Sequence, residues 1–185
     1  MSTGTLLAIV IPVAVVVVLI ALAVALFMRR RALRERFGPE YERTVQGADS
    51  RLAAERELSA REKRHDQLDI KPLPERARDR YSRDWNSVQQ EFVDRPEGAV
   101  HDADRLVTSL MHERGYPTEG FDQQLRDLSV EHGRTLEHYR AAHEIDSLSM
   151  GHKATTEQLR SAMVHYRALF DELLSDGGQS RHAHA

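Results

Sequence analysis

An uncharged run of 24 residues, positions 5–28, constrains this chain more than any other feature. A helix needs about 20 apolar residues to cross a hydrocarbon core roughly 30 Å thick. The run is therefore long enough to span a membrane with some tilt. The sequence predicts a transmembrane helix at residues 5–28, preceded by a short tail at residues 1–4.

A cleaved signal peptide is the alternative to a retained anchor. Such a peptide has a basic segment before an apolar core of about 7–15 residues, and small residues at the cleavage site. Here no basic residue precedes the run, the run is longer, and arginines stand where cleavage would be expected. The pattern favours a retained anchor.

The basic residues nearest the run all follow it, and they predict its orientation. They are Arg29, Arg30, Arg31, Arg34 and Arg36. By the positive-inside rule, the N-terminal tail faces outward and the rest of the chain is cytoplasmic. The same five arginines are the predicted membrane-interface residues, because a basic side chain near the surface attracts anionic lipid headgroups by about 1 kcal/mol.

The span itself carries few signs of a further role. It contains no ionisable side chain that could serve an ion or proton pathway. Pro12 removes one backbone hydrogen bond and predicts a bend that membrane helices tolerate. Ala21 and Ala25 form a small-xxx-small pair, so a weak homodimer through this face is the alternative to a plain anchor.

The remainder of the chain is acidic and lacks cysteine. Beyond Arg36, 21 of the 26 Lys and Arg residues and 28 of the 29 Asp and Glu residues remain, a net charge of −7. Nucleic-acid binding depends on basic residues that neutralise phosphates, so this balance argues against such a partner. The absence of cysteine excludes disulfides, thiolate catalysis and Cys-ligated zinc.

Residues 29–73 are predicted to link the span to a folded domain. The membrane helix continues to a break at Gly38-Pro39, and Phe37, Tyr41 and Val45 recur at the spacing of a short amphipathic helix. Residues 49–68 read as a charged helix, either packed along one narrow seam or serving as a spacer. The following segment, to residue 73, is predicted to be extended.

Residues 74–175 carry helical periodicity throughout. Pro74-Glu75 and Pro96 are helix-start signals, Gly115 is a predicted C-cap before Pro117, and Thr155 with Gln158 matches a capping box. Two further helices are predicted at about 121–130 and 134–145. The predicted inward-facing residues are Ala77, Tyr81, Trp85, Val88, Phe92, Val100, Ala103, Leu106, Val107, Leu110, Met111, Phe121, Leu125, Leu128, Leu136, Tyr139, Ala142, Ile145, Leu159, Met163, Tyr166, Leu169, Phe170 and Leu173.

The predicted fold class is all-α. An N-terminal transmembrane helix at residues 5–28 leads through a basic juxtamembrane segment at 29–48 and a charged helix and linker at 49–73 to a small multi-helix bundle at 74–175. Residues 176–185 lack apolar periodicity and are predicted to form a disordered tail.

Several stretches resemble a group of bacterial, mainly actinobacterial, membrane-anchored helical proteins, which are usually labelled hypothetical, membrane or secreted proteins. The stretches are LRERFGPEYERTV, LDIKPLPERARDRY, DADRLVTSLMHERGYP, DLSVEHGRTLEHYRAAHE and TTEQLRSAMVHYRALFDELL. The resemblance covers residues 33–174. It implies the same architecture, and it implies no catalytic residue or cofactor.

Candidate chemistry is sparse, and no cofactor, catalytic residue or metal ligand is predicted. The sequence lacks the phosphate-loop, dinucleotide, zinc-protease and nucleophile-elbow motifs. Glu62 and His65 form a single Glu-x-x-His, whereas a di-iron bundle uses that pair on two helices. The spacing of His132, His138 and His143 does not place them on one helical face, and His182 and His184 lie in the predicted tail.

Two functional hypotheses remain. The first is a non-catalytic interaction or scaffold module, tethered to the cytoplasmic membrane, whose helical domain binds an unknown protein partner. The second is an enzyme with an unrecognised site in the helical domain; an inverted orientation would instead make this an extracytoplasmic helical protein. The loop at residues 113–117 and the aromatic stripe of Trp85 are read as a helix cap and a core stripe, rather than as binding sites.

Overall fold

The computed structural model describes the backbone of residues 3–175 and the side chains of residues 11–175. This part of the chain is all-α, with eight helices and no strand, as the sequence predicts. The helices are α1 (Thr3–Phe37), α2 (Pro39–Gly47), α3 (Arg51–His65), α4 (Glu75–Glu91), α5 (Pro96–Arg114), α6 (Phe121–Leu128), α7 (Leu136–Met150) and α8 (Thr156–Ser175). The predicted tail at 176–185 lies outside the described residues.

Helices α4, α5, α7 and α8 enclose the main core. Helix α8 packs on both α5 and α7, and α4 packs on α5. Trp85 from α4 is 2% exposed and stacks on Phe170 from α8, with ring centroids 4.7 Å apart. Tyr139 and Tyr166 meet edge to face between α7 and α8. The periodic apolar stripes form one continuous core because each helix turns its stripe toward its neighbours.

Local hydrogen bonds fix the ends of several helices where the sequence predicts. The Thr155 backbone N–H donates to Gln158 Oε1 at 2.8 Å, and the Gln158 N–H donates back to Thr155 Oγ1 at 3.3 Å. This reciprocal pair is the predicted capping box, and it satisfies two amides that a helix start otherwise leaves unpaired. Helix α5 begins at Pro96, the position at which a missing N–H costs nothing.

Gly115 ends α5 and lies against the extended segment that precedes α4. Its φ of +98° places it in the left-handed region, and the Tyr116 N–H donates to the Met111 carbonyl at 3.0 Å. A Cβ at this position would lie 2.3 Å from the Asp69 carbonyl oxygen. The Lys71 N–H then donates to the Arg114 carbonyl at 2.8 Å. The glycine is required both for the helix cap and for this close backbone approach.

Several helix ends differ from the sequence prediction: α1 begins at Thr3, α3 spans Arg51–His65 and α7 begins at Leu136. Helix α6 ends at Leu128, two residues earlier than predicted, and α7 continues to Met150 instead of stopping near Ile145. The last inward-facing positions of α7 are Asp146 and Ser149, which are 3% and 5% exposed. Since these residues are polar, the apolar stripe ends although the helix and its buried face continue.

Candidate functional site

The first candidate feature is the apolar span. Among the residues that the structure describes, one helix, at residues 11–37, is long and apolar enough to cross a membrane, and an 18-residue stretch of it has a mean hydropathy of 3.1. The apolar side chains of residues 11–28 do not pack against the rest of the protein; Val18 is 64% exposed and Phe27 is 67% exposed. Large apolar side chains with no protein neighbours match a hydrocarbon environment.

Beyond the span, α1 continues directly into the folded body. Leu33 and Phe37 on the last turns of α1 pack with Tyr41 from α2, Leu58 from α3 and Val130 after α6. We call these five residues the N-terminal cluster. Phe37 and Leu58 are fully buried and Leu33 is 4% exposed. The apolar side chains at the end of α1 are therefore part of a core.

A glycine allows the body to approach the end of α1. A Cβ on Gly133 would lie 2.4 Å from the Phe37 carbonyl oxygen, a distance that no real Cβ could occupy. The chain turns sharply at Gly38, where φ is +54°, before α2 begins at Pro39. The end of α1 is thus held against two separate parts of the body.

The five predicted interface arginines lie beside acidic or hydroxyl side chains. Within α1, Arg31 pairs with Glu35 at 2.8 Å. The other four reach α2 or α3. The contacts are Arg29 to Ser59 at 2.9 Å, Arg30 to Glu55 at 3.0 Å, Arg34 to Glu42 at 2.9 Å, and Arg36 to Glu62 at 2.5 Å and Asp66 at 3.3 Å.

The Arg30 contact differs from the other ion pairs because Glu55 is buried. The Glu55 side chain is 6% exposed and also accepts a hydrogen bond from the Tyr41 hydroxyl at 3.0 Å. Burial and the Glu55 carboxylate raise the pKa of Tyr41, so the phenol remains a donor. Each exposed ion pair contributes about 0–1 kcal/mol to the stability of the fold. The N-terminal cluster and Glu55 therefore fix α1 more firmly than the surface ion pairs do.

These acidic partners also affect the predicted lipid contact. Glu35, Glu42, Glu55, Glu62 and Asp66 lie against four of the arginines, whereas Arg29 contacts the Ser59 hydroxyl. Carboxylates therefore offset most of the positive charge. We expect this balance to leave less attraction for anionic headgroups than about 1 kcal/mol for each arginine. Arg31, with a side chain 72% exposed, is the most accessible of those in ion pairs.

The predicted charged helix α3 is packed along a narrow seam. Ala54 and Leu58 are fully buried against α1 and α2, whereas Leu52 is 53% exposed. At its C-terminal end, Arg64 reaches the buried Asp127 of α6 at 2.9 Å. The sequence leaves open whether this helix packs along one seam or serves as a spacer. These contacts show that it packs along a seam.

The histidines singled out in the sequence do not form one cluster: His65 and His132 both lie beside Tyr116, whereas His138 and His143 lie elsewhere on α7. His65 is buried, and this burial lowers its pKa. His132 is buried with its Nδ1 3.0 Å from Glu172. His138 faces His165 on the surface, with the two Nδ1 atoms 2.9 Å apart. His143 stacks on Phe121 with ring centroids 3.8 Å apart.

A second candidate feature lies between α5 and α7. Asp104, His143 and Asp146 present ligand atoms that all lie within 4.8 Å of one another, and His101 lies beside Asp146. We call these four residues the α5–α7 polar cluster. The sequence analysis missed it, although the pattern His-x-x-Asp occurs at both 101–104 and 143–146. Neither occurrence is informative until the fold brings the two helices together.

The third candidate feature is a polar groove beside α2. It has a volume of about 520 Å³ and is lined by residues of α2, α3, α6 and α7. Glu40 lies inside it, buried, and accepts hydrogen bonds from Arg140 at 2.8 and 2.9 Å. Arg61 approaches the same carboxylate at 3.3 Å. The buried Glu40 carboxylate is therefore paired with two guanidinium groups.

Comparison of the chain with protein-family models, with curated proteins and with solved structures finds no match.

Proposed function

We propose that this protein is a membrane-tethered, non-catalytic module that holds its helical body at the cytoplasmic face of the membrane, where the body binds another protein. The observation that carries the proposal is the unbroken α1 helix. It runs from the apolar span into the N-terminal cluster without a flexible linker.

The length of α1 beyond the apolar run sets the distance between body and membrane. At about 1.5 Å per residue, Leu33 lies about 7 Å beyond Met28 along the helix axis, and Phe37 lies about 13 Å beyond it. The headgroup region extends several ångströms past the hydrocarbon core. A body that begins at Leu33 is then held against the headgroups in one orientation, which suits presentation of a fixed surface to a partner.

The distribution of positive charge supports the proposed cytoplasmic location of the helical body. All arginines close to the span follow it, and such charge is retained on the cytoplasmic side. Arg31 and its neighbours also lie at the depth of the headgroups, where they are proposed to contact anionic lipid.

The proposal that the module is non-catalytic is supported by the absence of the catalytic motifs named above from the sequence. A weak homodimer through Ala21 and Ala25 remains a further proposal.

Labelling of introduced cysteines tests the orientation. Because the chain has no cysteine, a single substitution gives a unique label. We expect Ser2→Cys to react with a membrane-impermeant maleimide on intact cells, and Gln179→Cys to react only after the cells are lysed. Equal labelling of both variants after lysis is the control for accessibility. The reverse pattern on intact cells would show that the body is extracytoplasmic.

Replacement of the span tests the tether. If α1 only anchors and orients the body, an unrelated apolar span of equal length in place of residues 6–27 should preserve any phenotype that depends on the gene. Deletion of residues 1–28 should abolish it although the body folds. Full complementation by the soluble body would contradict the tether. Loss of function from one polar substitution, with folding intact, would favour the enzyme hypothesis.

A flexible insertion separates anchoring from orientation. A Gly-Ser linker placed between Met28 and Arg29 leaves the N-terminal cluster intact and frees the body from the direction of the span. We expect this variant to remain in the membrane and to function less well than the span replacement. Equal function would retain the tether and contradict the fixed orientation.

A further inference from the structure

Two short repeats of one pattern face each other inside the bundle. His101 and Asp104 are three residues apart on α5, and His143 and Asp146 are three residues apart on α7. Residues at this spacing share a helix face. Each histidine lies beside the aspartate of the other helix: His101 Nδ1 lies 3.8 Å from Asp146 Oδ1, and His143 Nδ1 lies 3.7 Å from Asp104 Oδ1. Each helix therefore offers one imidazole and one carboxylate to the same small volume.

Three polar atoms of this α5–α7 polar cluster are buried without a partner. Within the part of the chain that the structure describes, His101 Nδ1, His143 Nδ1 and Asp146 Oδ1 are inaccessible and accept or donate no hydrogen bond. Asp146 as a whole is 3% exposed. Buried polar groups are nearly always satisfied, so three such atoms in one place require a physical explanation.

A cation at the centre of the cluster supplies that explanation. Asp104 and the buried Asp146 bring two carboxylates into one poorly solvated volume, where like charges repel each other. A divalent ion removes that repulsion and gives each unpaired atom a ligand bond. Imidazole nitrogens together with carboxylate oxygens form a donor set that suits zinc and related first-row ions.

The separations also fit an ion better than a hydrogen-bond network. The His–Asp distances of 3.7 and 3.8 Å are too long for hydrogen bonds. Zinc bonds of about 2.0–2.1 Å in a tetrahedral arrangement place neighbouring ligand atoms about 3.3 Å apart. These two His–Asp distances lie about 0.4–0.5 Å above that edge, and the ligand atoms of Asp104, His143 and Asp146 all lie within 4.8 Å of one another, so the side chains would move inward to bind an ion.

We propose that Asp104, His143 and Asp146, with His101 as the fourth ligand, bind one divalent transition-metal ion of the zinc type between α5 and α7. Four protein ligands leave no position for substrate, which is the arrangement of structural rather than catalytic sites. The ion would link α5 to α7. The site does not depend on the proposed tether function.

Neighbouring side chains support the ligands in the way that metal sites require. The Tyr166 hydroxyl donates a hydrogen bond to Asp104 Oδ1 at 2.9 Å and orients this carboxylate. Phe121 stacks on His143 at 3.8 Å and fixes the plane of the ring. The side chains of His101 and His143 are 43% and 33% exposed, which gives an ion a route from solvent.

Metal titration of the full-length protein in detergent tests the proposal. After dialysis against a chelator, we expect calorimetry to show one tight Zn²⁺ per chain and the thermal midpoint to rise when Zn²⁺ is added. Co²⁺ should give the intense visible absorption of a four-coordinate site, which hydrated Co²⁺ lacks. Asp146→Asn should weaken Zn²⁺ binding at least about tenfold and abolish that absorption.

Matched variants distinguish this cluster from other histidines. His138→Gln removes a ring from the exposed His138–His165 pair, and His182→Gln with His184→Gln removes the tail histidines; all three should leave the tight site unchanged. If Asp146→Asn fails to fold, the more exposed His101→Gln should lower the affinity instead. Unchanged binding in folded Asp146→Asn or His101→Gln, or loss of tight binding in the control variants, would overturn the proposal. Absence of tight Zn²⁺ or Co²⁺ binding to the wild type would also overturn it.

Discussion

A soluble fragment that begins at Pro39 should lose the order of α2 and α3, whereas a fragment that begins at Arg29 should keep it. The shorter fragment lacks Leu33 and Phe37, which are 4% and 0% exposed in the N-terminal cluster. Removal of a buried leucine costs about 2–5 kcal/mol and removal of a buried phenylalanine about 3–5 kcal/mol. Together these losses approach the whole stability of a small domain.

Amide hydrogen exchange measures this difference element by element. In the fragment of residues 39–175 we expect rapid exchange in α2 and α3 and retained protection in α5, α7 and α8, whose core is a separate cluster. In the fragment of residues 29–175, Phe37→Ala should reproduce most of the loss, and Leu52→Ala, at an exposed position, should not. Equal protection of α2 and α3 in both fragments would contradict the role of α1 in this core.

Substitution of Trp85 by alanine should destabilise the main core by about 3–5 kcal/mol, as truncation of a buried aromatic side chain leaves a cavity. Trp85 is 2% exposed and stacks on Phe170. The measurement is the free energy of unfolding in denaturant, made on residues 29–175. That fragment is preferable to one that starts at Pro39, because the structure shows that Leu33 and Phe37 belong to the folded body.

Two further variants identify the source of the Trp85 effect. Trp85→Phe keeps an aromatic ring near Phe170 and removes the indole N–H, which is buried without a partner among the described residues. We expect Trp85→Phe to lower the free energy of unfolding clearly less than Trp85→Ala does. Val93→Ala, at a position 83% exposed, should change the stability by no more than about 0.5 kcal/mol. A similarly small effect of Trp85→Ala would mean that the aromatic stripe does not form the core.

Much of the fold could be predicted because its signals are local. The apolar run, the Thr155–Gln158 capping box and the glycine that ends α5 each depend on residues a few positions apart. Helix periodicity similarly identified Trp85 and Phe170 as inward-facing. The prediction failed at the end of α7, where the buried positions Asp146 and Ser149 are polar and interrupt the apolar pattern.

The candidate sites could not be predicted in the same way, since their parts are distant in sequence. His101 and Asp146 are separated by 45 residues, and the cluster exists only because α5 and α7 cross with matching faces. The five arginines were visible in the sequence, but the acidic partners of Arg30, Arg34 and Arg36 on α2 and α3 were not. Which basic side chains remain available to lipid depends on those partners.

The sequence by itself determined the helical class, the apolar segment long enough to cross a membrane and most of the core positions. These follow from hydropathy and from periods of three to four residues, which act within single helices. Only the tertiary structure decided that α1 enters the body as part of a second core, and that two His-x-x-Asp patterns meet between α5 and α7. The physical reason is that both features depend on contacts between helices, and helix periodicity does not specify which helices become neighbours.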